Sequence, residues 1–368
     1  MYAPSMEMLH GQIAAIYLFD VAEAIDLPAA ASVISSSVRA KFAPKPATPA
    51  YVRYQQPPLL FDGAGVDVPS IDGFRVGVKV FDYGIISLRL TREFHGRWAD
   101  LADASDHLVE NEALERQAEQ ACRTVANRLR PAITDARPGT LTEDYLVFAI
   151  NELSRPHSAD ELVEHHGDVI ASVLRGERNQ LSRQERDEIL RHRISYLAND
   201  LVIPTWNAAF VYDTPAGADA ALEIIEFANS QLLQFRYYDE LLDNALASIY
   251  ANVQKEAHWY DAFLGRHYAR AARQVHALFI DVNELTDRTE NALKIVGDVY
   301  AARLFSLVGA RLDLDRWKMN VSEKLKTLDD IYRFSVEHLG MVRGEVLEMT
   351  IVGILIFELV LILMGIME

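Results

Sequence analysis

Short apolar runs alternate with amphipathic stretches over the first two hundred residues. Ile13 to Phe19 reads IAAIYLF, a run of strand length, and Leu27 to Ser36 has helical spacing. Phe74 to Leu90 reads FRVGVKVFDYGIISLRL. Val76, Val78 and Val80 alternate there, and Ile85, Ile86, Leu88 and Leu90 follow, which predicts two strands joined at Asp82-Tyr83-Gly84. Leu108 to Leu129 places Leu114, Ala118, Cys122, Val125 and Leu129 on one helical face and meets a stop at Pro131. Residues 43–58 hold five prolines and read as a loop, with Tyr51 and Tyr54 on an edge strand. Tyr145–Ile150, Ile194–Leu197, Leu201–Ile203 and Asn207–Tyr212 read as further strands. Two helix starts are marked by capping-box spacing, Ser158 with Glu161 and Ser182 with Glu185. The order of elements predicts an α+β head over residues 1–213, with helices packed on a sheet.

At Thr214-Pro215 the pattern changes. Thr214 suits a helix cap and Pro215 a first turn. Residues 214–348 read as a region of long, coiled-coil-like antiparallel helices. One carries Ala221, Ile225, Ala228, Leu232, Phe235, Leu242, Leu246 and Ile249; another runs from near Gly265 through Leu285, Leu293, Val296, Tyr300, Leu304 and Leu307. A break is expected at Leu312–Asp315, with an aspartate capping the last helix. That helix carries the stripe Val321, Leu325, Leu328, Tyr332, Ser335, Leu339, Val342 and Val346.

The stripe continues into MTIVGILIFELVLILMGIM, Met349 to Met367. At about 1.5 Å per residue this helix is roughly 28 Å long, close to the ~30 Å of a bilayer's hydrocarbon core. The expectation is a C-terminal transmembrane helix over 349–367. Arg333 and Arg343 precede it and no basic residue follows, which favours a tail anchor with the bulk of the chain cytoplasmic. The absence of a signal-peptide pattern at the N-terminus agrees. Glu358 falls in mid-span, where a carboxylate needs a partner. A contact between anchors of a homo-oligomer is favoured over a proton relay, so the expected partners are the lipid bilayer and a second copy of the chain, with other protein partners unidentified.

Charge and chemistry narrow the function classes. Asp and Glu number 53 against 36 Lys and Arg, a net charge of −17, which argues against direct nucleic-acid binding. The single cysteine, Cys122, excludes a disulfide framework and a multi-cysteine zinc site. No phosphate loop, dinucleotide fingerprint, nucleophile elbow or H-E-x-x-H is present. His165 and His166 share a helix with Glu161 and Asp168, and a solvated helical face outweighs a metal site there, because one helix alone cannot close a coordination shell. His258, His267 and His276 are nine apart and alternate sides of a helix. No catalytic, cofactor or metal residue is assigned, and no cofactor is expected.

Residues 226–243, EFANSQLLQFRYYDELLD, resemble the signature of the Rmd/Sif (Required for Meiotic Nuclear Division) family. EILRHRISY at 188–196, WNAAFVYD at 206–213, NALKIVGDVYAAR at 291–303, LKTLDDIY at 325–332 and FDYGII at 81–86 are similar to other blocks of that family. The resemblance singles out Asn229, Ser230, Gln231, Arg236, Tyr237, Asp239 and Glu240. Arg236 and Asp239, three apart, are expected to pair on one face, with Asp239 fixing register at a helical seam; the alternative is a ligand site between helices lined by Asn229, Gln231, Arg236 and Asp239. The resemblance implies a membrane-anchored, helix-rich, oligomeric protein without a known enzymatic activity, and its eukaryotic relatives support mitochondrial translation. The leading expectation is a tail-anchored scaffold and not an enzyme. The alternatives are an enzyme or regulatory small-molecule binder with its pocket in the α+β head, and a ribosome-associated membrane factor.

Overall fold

A computed structural model of the chain describes residues 7–37, 57–137, 141–254 and 299–363. The first part contains β1 (Met8–Asp20), β2 (Ala22–Ile25), α1 (Leu27–Ser37), β3 (Leu59–Asp62), β4 (Ser70–Ile71), β5 (Phe74–Val80) and β6 (Ile85–Arg97). Then come α2 (Trp98–Leu108), α3 (Glu112–Leu129), β7 (Ile133–Ala136), β8 (Thr142–Leu153), α4 (Ala159–Arg175) and α5 (Arg183–Arg191). β9 (Leu201–Pro204), β10 (Ala208–Tyr212), α6 (Pro215–Gln254), α7 (Val299–Arg311) and α8 (Leu314–Leu363) complete the described chain. The chain forms two compact units, one of residues 1–237 with 288–316, the other of residues 238–287 with 317–368.

The first unit is built on one mixed sheet of eight strands in the order β3-β5-β6-β1-β8-β10-β9, with β4 beside β5. β1 pairs antiparallel with β6 on one side and β8 on the other; β8 and β10 are parallel. β2 and β7 form a separate ribbon. Alternation along the strands loads both faces. Tyr17, Phe19, Leu146 and Phe148 join a core with residues from α1 to α5. Ile16, Leu18, Tyr145 and Val147 are equally buried and point the other way. A sheet covered on both faces reads as a continuous apolar run, which is why IAAIYLF shows no alternation.

The second face receives α6 through a buried cluster of charge. Lys79 Nζ lies 2.6 Å from carboxylate oxygens of both Glu223 and Glu226. Arg89 pairs with Glu223 at 2.7 Å and also with Glu226, and Ser87 Oγ donates to Glu226 at 2.6 Å. Strand register explains the convergence: Lys79 on β5 is directly opposite Ser87 on β6, with Arg89 two residues further on the same face. On α6 the two glutamates are three apart and share a face. Two cations meet two carboxylates, so the cluster is neutral. Burial pushes the Glu226 carboxyl up, but Arg89 and Lys79 outweigh it and hold it down at about 2. Tyr83 OH and Ser230 Oγ, 2.8 Å apart, extend the same seam, and Gln234 Nε2 donates to the Tyr83 carbonyl.

The expected strands of the first half are present, several of them longer than the pattern implied. β6 runs on to Arg97, past the last alternating residue. The expected strand at Ile194–Leu197 is reduced to a bridge between Ile194 and Val202. The expected helix from Leu108 begins at Glu112, where Asn111 Oδ1 accepts from Leu114 N–H, and a separate helix, α2, precedes it. The Ser158–Glu161 capping box forms in full, and Thr214 Oγ1 accepts from Gly217 N–H at the start of α6. Asp313, at φ +58°, makes the break between α7 and α8.

The fold-class expectation needs correcting at its C-terminal end: the molecule is a mixed α/β sheet structure with helices, and among the described residues no helix is long and apolar enough to cross a membrane. α8 runs on through Met349 to its described end at Leu363. Glu358 bears charge within this stretch and Glu348 just before it. The tail anchor, the bilayer as partner and the membrane localisation lose their support. The homo-oligomer joined through anchors at Glu358 loses it too. Glu358 is exposed on α8. Tyr51, Tyr54, the histidines at 258, 267 and 276, the helix expected from Gly265 to Val296, and Met364–Met367 lie outside the described residues.

Removing one member of the buried cluster should cost more than removing a matched pair. Glu226→Gln leaves two cations against one carboxylate and is expected to destabilise the chain by about 3–5 kcal/mol. The double variant Lys79→Met/Glu226→Leu keeps the Arg89–Glu223 pair and should lose less. Because the folded Glu226 carboxyl lies below its ordinary value, its contribution is present above about pH 4.5 and falls away as pH drops toward 2. Urea unfolding of the three proteins at neutral pH, and of the parent chain across pH 2–6, checks both expectations.

Candidate metal centre

The antiparallel pairing of β1 brings its first residue beside the last residues of two strands. Met8 is opposite Arg97 at the end of β6, and Leu9 is opposite Leu153 at the end of β8. Met8 and Ser154 exchange hydrogen bonds, Met8 N–H to Ser154 Oγ at 3.1 Å and Ser154 N–H to the Met8 carbonyl at 3.0 Å. Glu7 is therefore held against the loop that leads to α4. His157 sits in that loop, just before the cap Ser158, and His166 is carried on α4. Trp98 opens α2, whose start is fixed by Arg97 N–H donating to Asp100.

Three ligand-type side chains converge. Glu7 Oε1 is 3.0 Å from His157 Nε2, and Glu7 Oε2 is 3.0 Å from His166 Nε2. The three ligand atoms lie within 4.8 Å of one another. Ligands around a tetrahedral zinc at 2.0–2.1 Å are separated by about 3.3 Å, comparable to the two Glu7–histidine separations of 3.0 Å. Trp98 Nε1 donates to Glu7 Oε2 at 2.9 Å, and its ring stacks on His166 at 4.6 Å with an interplanar angle of 16°. A donor behind a ligating carboxylate fixes its orientation.

The group is largely shielded from water. Glu7 is 8% exposed, and the side chains of His157 and His166 are 17% and 13% exposed. Burial pushes the His166 imidazole below its ordinary value, with His157 and His165 adding to the effect and Glu7 opposing it. A neutral imidazole has the free lone pair that a metal requires. Two histidines and one carboxylate are the donor set of hydrolytic zinc sites and of non-haem iron sites, and both leave coordination positions open.

The residues singled out from the sequence are distributed differently. His165 is exposed, while Glu161 caps α4 through Ser158 and takes no part in the cluster. Asp168 pairs with Arg186. His166 belongs to the site. Its partners are Glu7, at the other end of the matched strands, and His157, outside its helix, so helical spacing could not have found them. Within the signature stretch, Asn229 donates to the Ile225 carbonyl, Ser230 Oγ bonds the Phe227 carbonyl, and Gln231 is buried. The expected Arg236–Asp239 pair does not form: Arg236 engages Glu143 and the Thr142 carbonyl, and Asp239 pairs with Lys324 at 2.7 Å. Tyr237 lies beneath the Arg137 guanidinium, and Glu240 is exposed. Ser230, Arg236, Tyr237 and Asp239 thus serve pairing and stacking.

The fold and this site define a mixed α/β head with a two-histidine, one-carboxylate cluster at the start of its central strand. The family model described as "Uncharacterized protein MJ0711, N-terminal domain" matches residues 10–219, and the chain belongs to that family. It is 25% identical over 219 residues to uncharacterized protein MJ0711 of Methanocaldococcus jannaschii, an alignment covering 60% of this chain and 65% of the relative. The chain thus matches just under two thirds of that relative's length. No solved structure matches. These matches correct the Rmd/Sif assignment, which no family match supports; the stretch 226–243 that carried the resemblance lies beyond the matched residues. His157 and His166 fall inside the matched region and Glu7 just before it.

Glu7 should matter to the fold even without metal, because its carboxylate accepts the indole N–H of Trp98 in a buried setting. With chelator present, Glu7→Ala is expected to cost about 1–3 kcal/mol in chemical denaturation, and Glu7→Gln, which keeps an acceptor, clearly less.

Proposed function

We propose that the head is a transition-metal-binding module in which Glu7, His157 and His166 hold a Zn²⁺ or Fe²⁺ ion. The observation that carries this reading is the convergence of one carboxylate and two imidazole Nε2 atoms at 3.0 Å, from three separate segments, with Trp98 orienting the carboxylate. Such an ion ties the entry of β1 to the α4 loop and leaves at least one position for water or an external ligand. When bound, it supplies Lewis acidity to whatever occupies that position. Of the functions expected from the sequence, this reading favours a regulatory or enzymatic small-molecule binder with its site in the head. An interaction role draws support from a separate feature, the exposed apolar residues of α8 from Met349 to Phe357.

Titration of the metal-stripped full chain with Zn²⁺ and, under anaerobic conditions, with Fe²⁺ tests the proposal. The expected result is one tightly bound ion per chain for at least one of the two. His157→Ala and His166→Ala should each weaken binding at least tenfold, while His165→Ala, at an exposed position outside the cluster, should leave it unchanged. Substoichiometric binding of both ions, or equal binding by all variants, would show the cluster to be only a hydrogen-bonded strut.

A further inference from the structure

A second concavity lies on the helical side of the sheet, and none of Glu7, His157 and His166 lines it. It is a cleft of about 250 Å³ between α3, the end of β1 and the β2–β7 ribbon. Its apolar lining is formed by Phe19, Val21, Cys122, Ala126 and Ile133, with Ala136 exposed at the edge. Its rim is cationic: three guanidinium groups, Arg123, Arg130 and Arg137, against the single carboxylate of Glu119.

The state of each arginine decides what the rim can do. Arg123 pairs with Glu119 one helical turn away, on the exposed surface. Arg137 is held rigidly: its backbone N–H donates to the Val21 carbonyl at 2.8 Å, its Nη1 to Asp20 at 2.7 Å, and its guanidinium stacks over Tyr237 at 3.7 Å. Arg130 is exposed and has no ion-pair partner among the described residues. A cation without an ion-pair partner among the described residues thus sits at the mouth of the cleft, in a chain of net charge −17. A guanidinium offers five N–H donors in a fixed fork, so the paired arginines retain donors for a further acceptor.

The space is formed by sequence choices on facing elements. Ala126, half-buried on α3, contributes only a methyl group to the lining. Cys122 lies at the same wall, buried, and burial pushes its thiol up, so it acts as an apolar surface and not as a nucleophile. The volume lies just below the usual range for drug-sized ligand pockets, about 300–1,000 Å³, and suits a small metabolite.

We infer that this cleft binds a small amphiphilic anion, with an aromatic or short aliphatic body on the floor and a phosphate or carboxylate group at the arginine rim, Arg130 supplying the uncompensated charge. The apolar floor gives the body a dry surface, and the rim gives the head group bidentate donors. Neither half of the ligand is sufficient alone.

Calorimetric titration of the full chain with 1-naphthyl phosphate tests this. One site per chain is expected. Arg130→Glu, at an exposed position, should weaken binding at least tenfold, and Ala126→Phe, which fills the floor, should abolish it. Thermal unfolding of each variant reports whether the fold is kept; if Ala126→Phe fails to fold, Arg130→Glu decides. Inorganic phosphate and 1-naphthol should each compete only weakly. Unchanged binding in Arg130→Glu, no binding by the parent chain, or either half-ligand competing as well as the whole would overturn the inference.

Discussion

Three buried charged side chains and the half-buried Arg89, between the sheet and α6, constrain the rest of the first unit. Taking Lys79, Arg89, Glu223 and Glu226 out of water carries a large desolvation cost, and that cost is offset only while every partner is in place. The requirement fixes the rotation and height of α6 over β5 and β6 to within a hydrogen-bond length. Apolar packing alone tolerates sliding far better, because it is not directional. Once α6 is docked, the second face of the sheet is closed and β1, at its centre, is buried on both sides.

The central position of β1 has a consequence at its other end. Because β1 pairs with β6 and β8 together, its first residue must meet the last residues of both. That geometry delivers Glu7 to Trp98 and to the loop of His157, while α4, packed beneath, brings His166. The cluster of Glu7, His157 and His166 is thus a product of strand topology. The arginine-rimmed cleft has a comparable origin: the β2–β7 ribbon splits away from the main sheet beyond Asp20, and α3 lines the gap with Glu119, Cys122, Arg123, Ala126 and Asn127. One site is built from buried, converging ligands and the other from an apolar floor with exposed cations, so they are suited to different chemistries.

The resemblance drawn from residues 226–243 illustrates how a motif can be real as structure and misleading as kinship. Several of its polar members find partners elsewhere: Ser230 and Gln234 meet Tyr83, Arg236 meets Glu143, and Asp239 meets Lys324. Each is a helix residue finding a buried or half-buried partner. The expected Arg236–Asp239 pair fails because partners on other elements compete better than a neighbour one turn along. The apolar run after Met349 invited a membrane reading on length and hydropathy, and among the described residues no helix is long and apolar enough to cross a membrane.

Local chemistry was legible from the chain alone. The strands around Val76–Leu90, the capping box at Ser158, the cap at Thr214 and the break at Asp313 depend on residues within a few positions of one another, where φ/ψ preferences and side-chain-to-backbone hydrogen bonds dominate. The apolar face of α3 was legible for the same reason. Strand order, the neutral cluster at Glu226 and the grouping of Glu7 with His157 and His166 were not. They join residues far apart in the chain, and such partners are chosen by sheet register and helix docking, which depend on the free energy of the whole packed molecule. His166 shows the difference in one residue. Its helix was apparent from the sequence, but whether its ring faced water or a carboxylate was decided only when β1 took its place between β6 and β8.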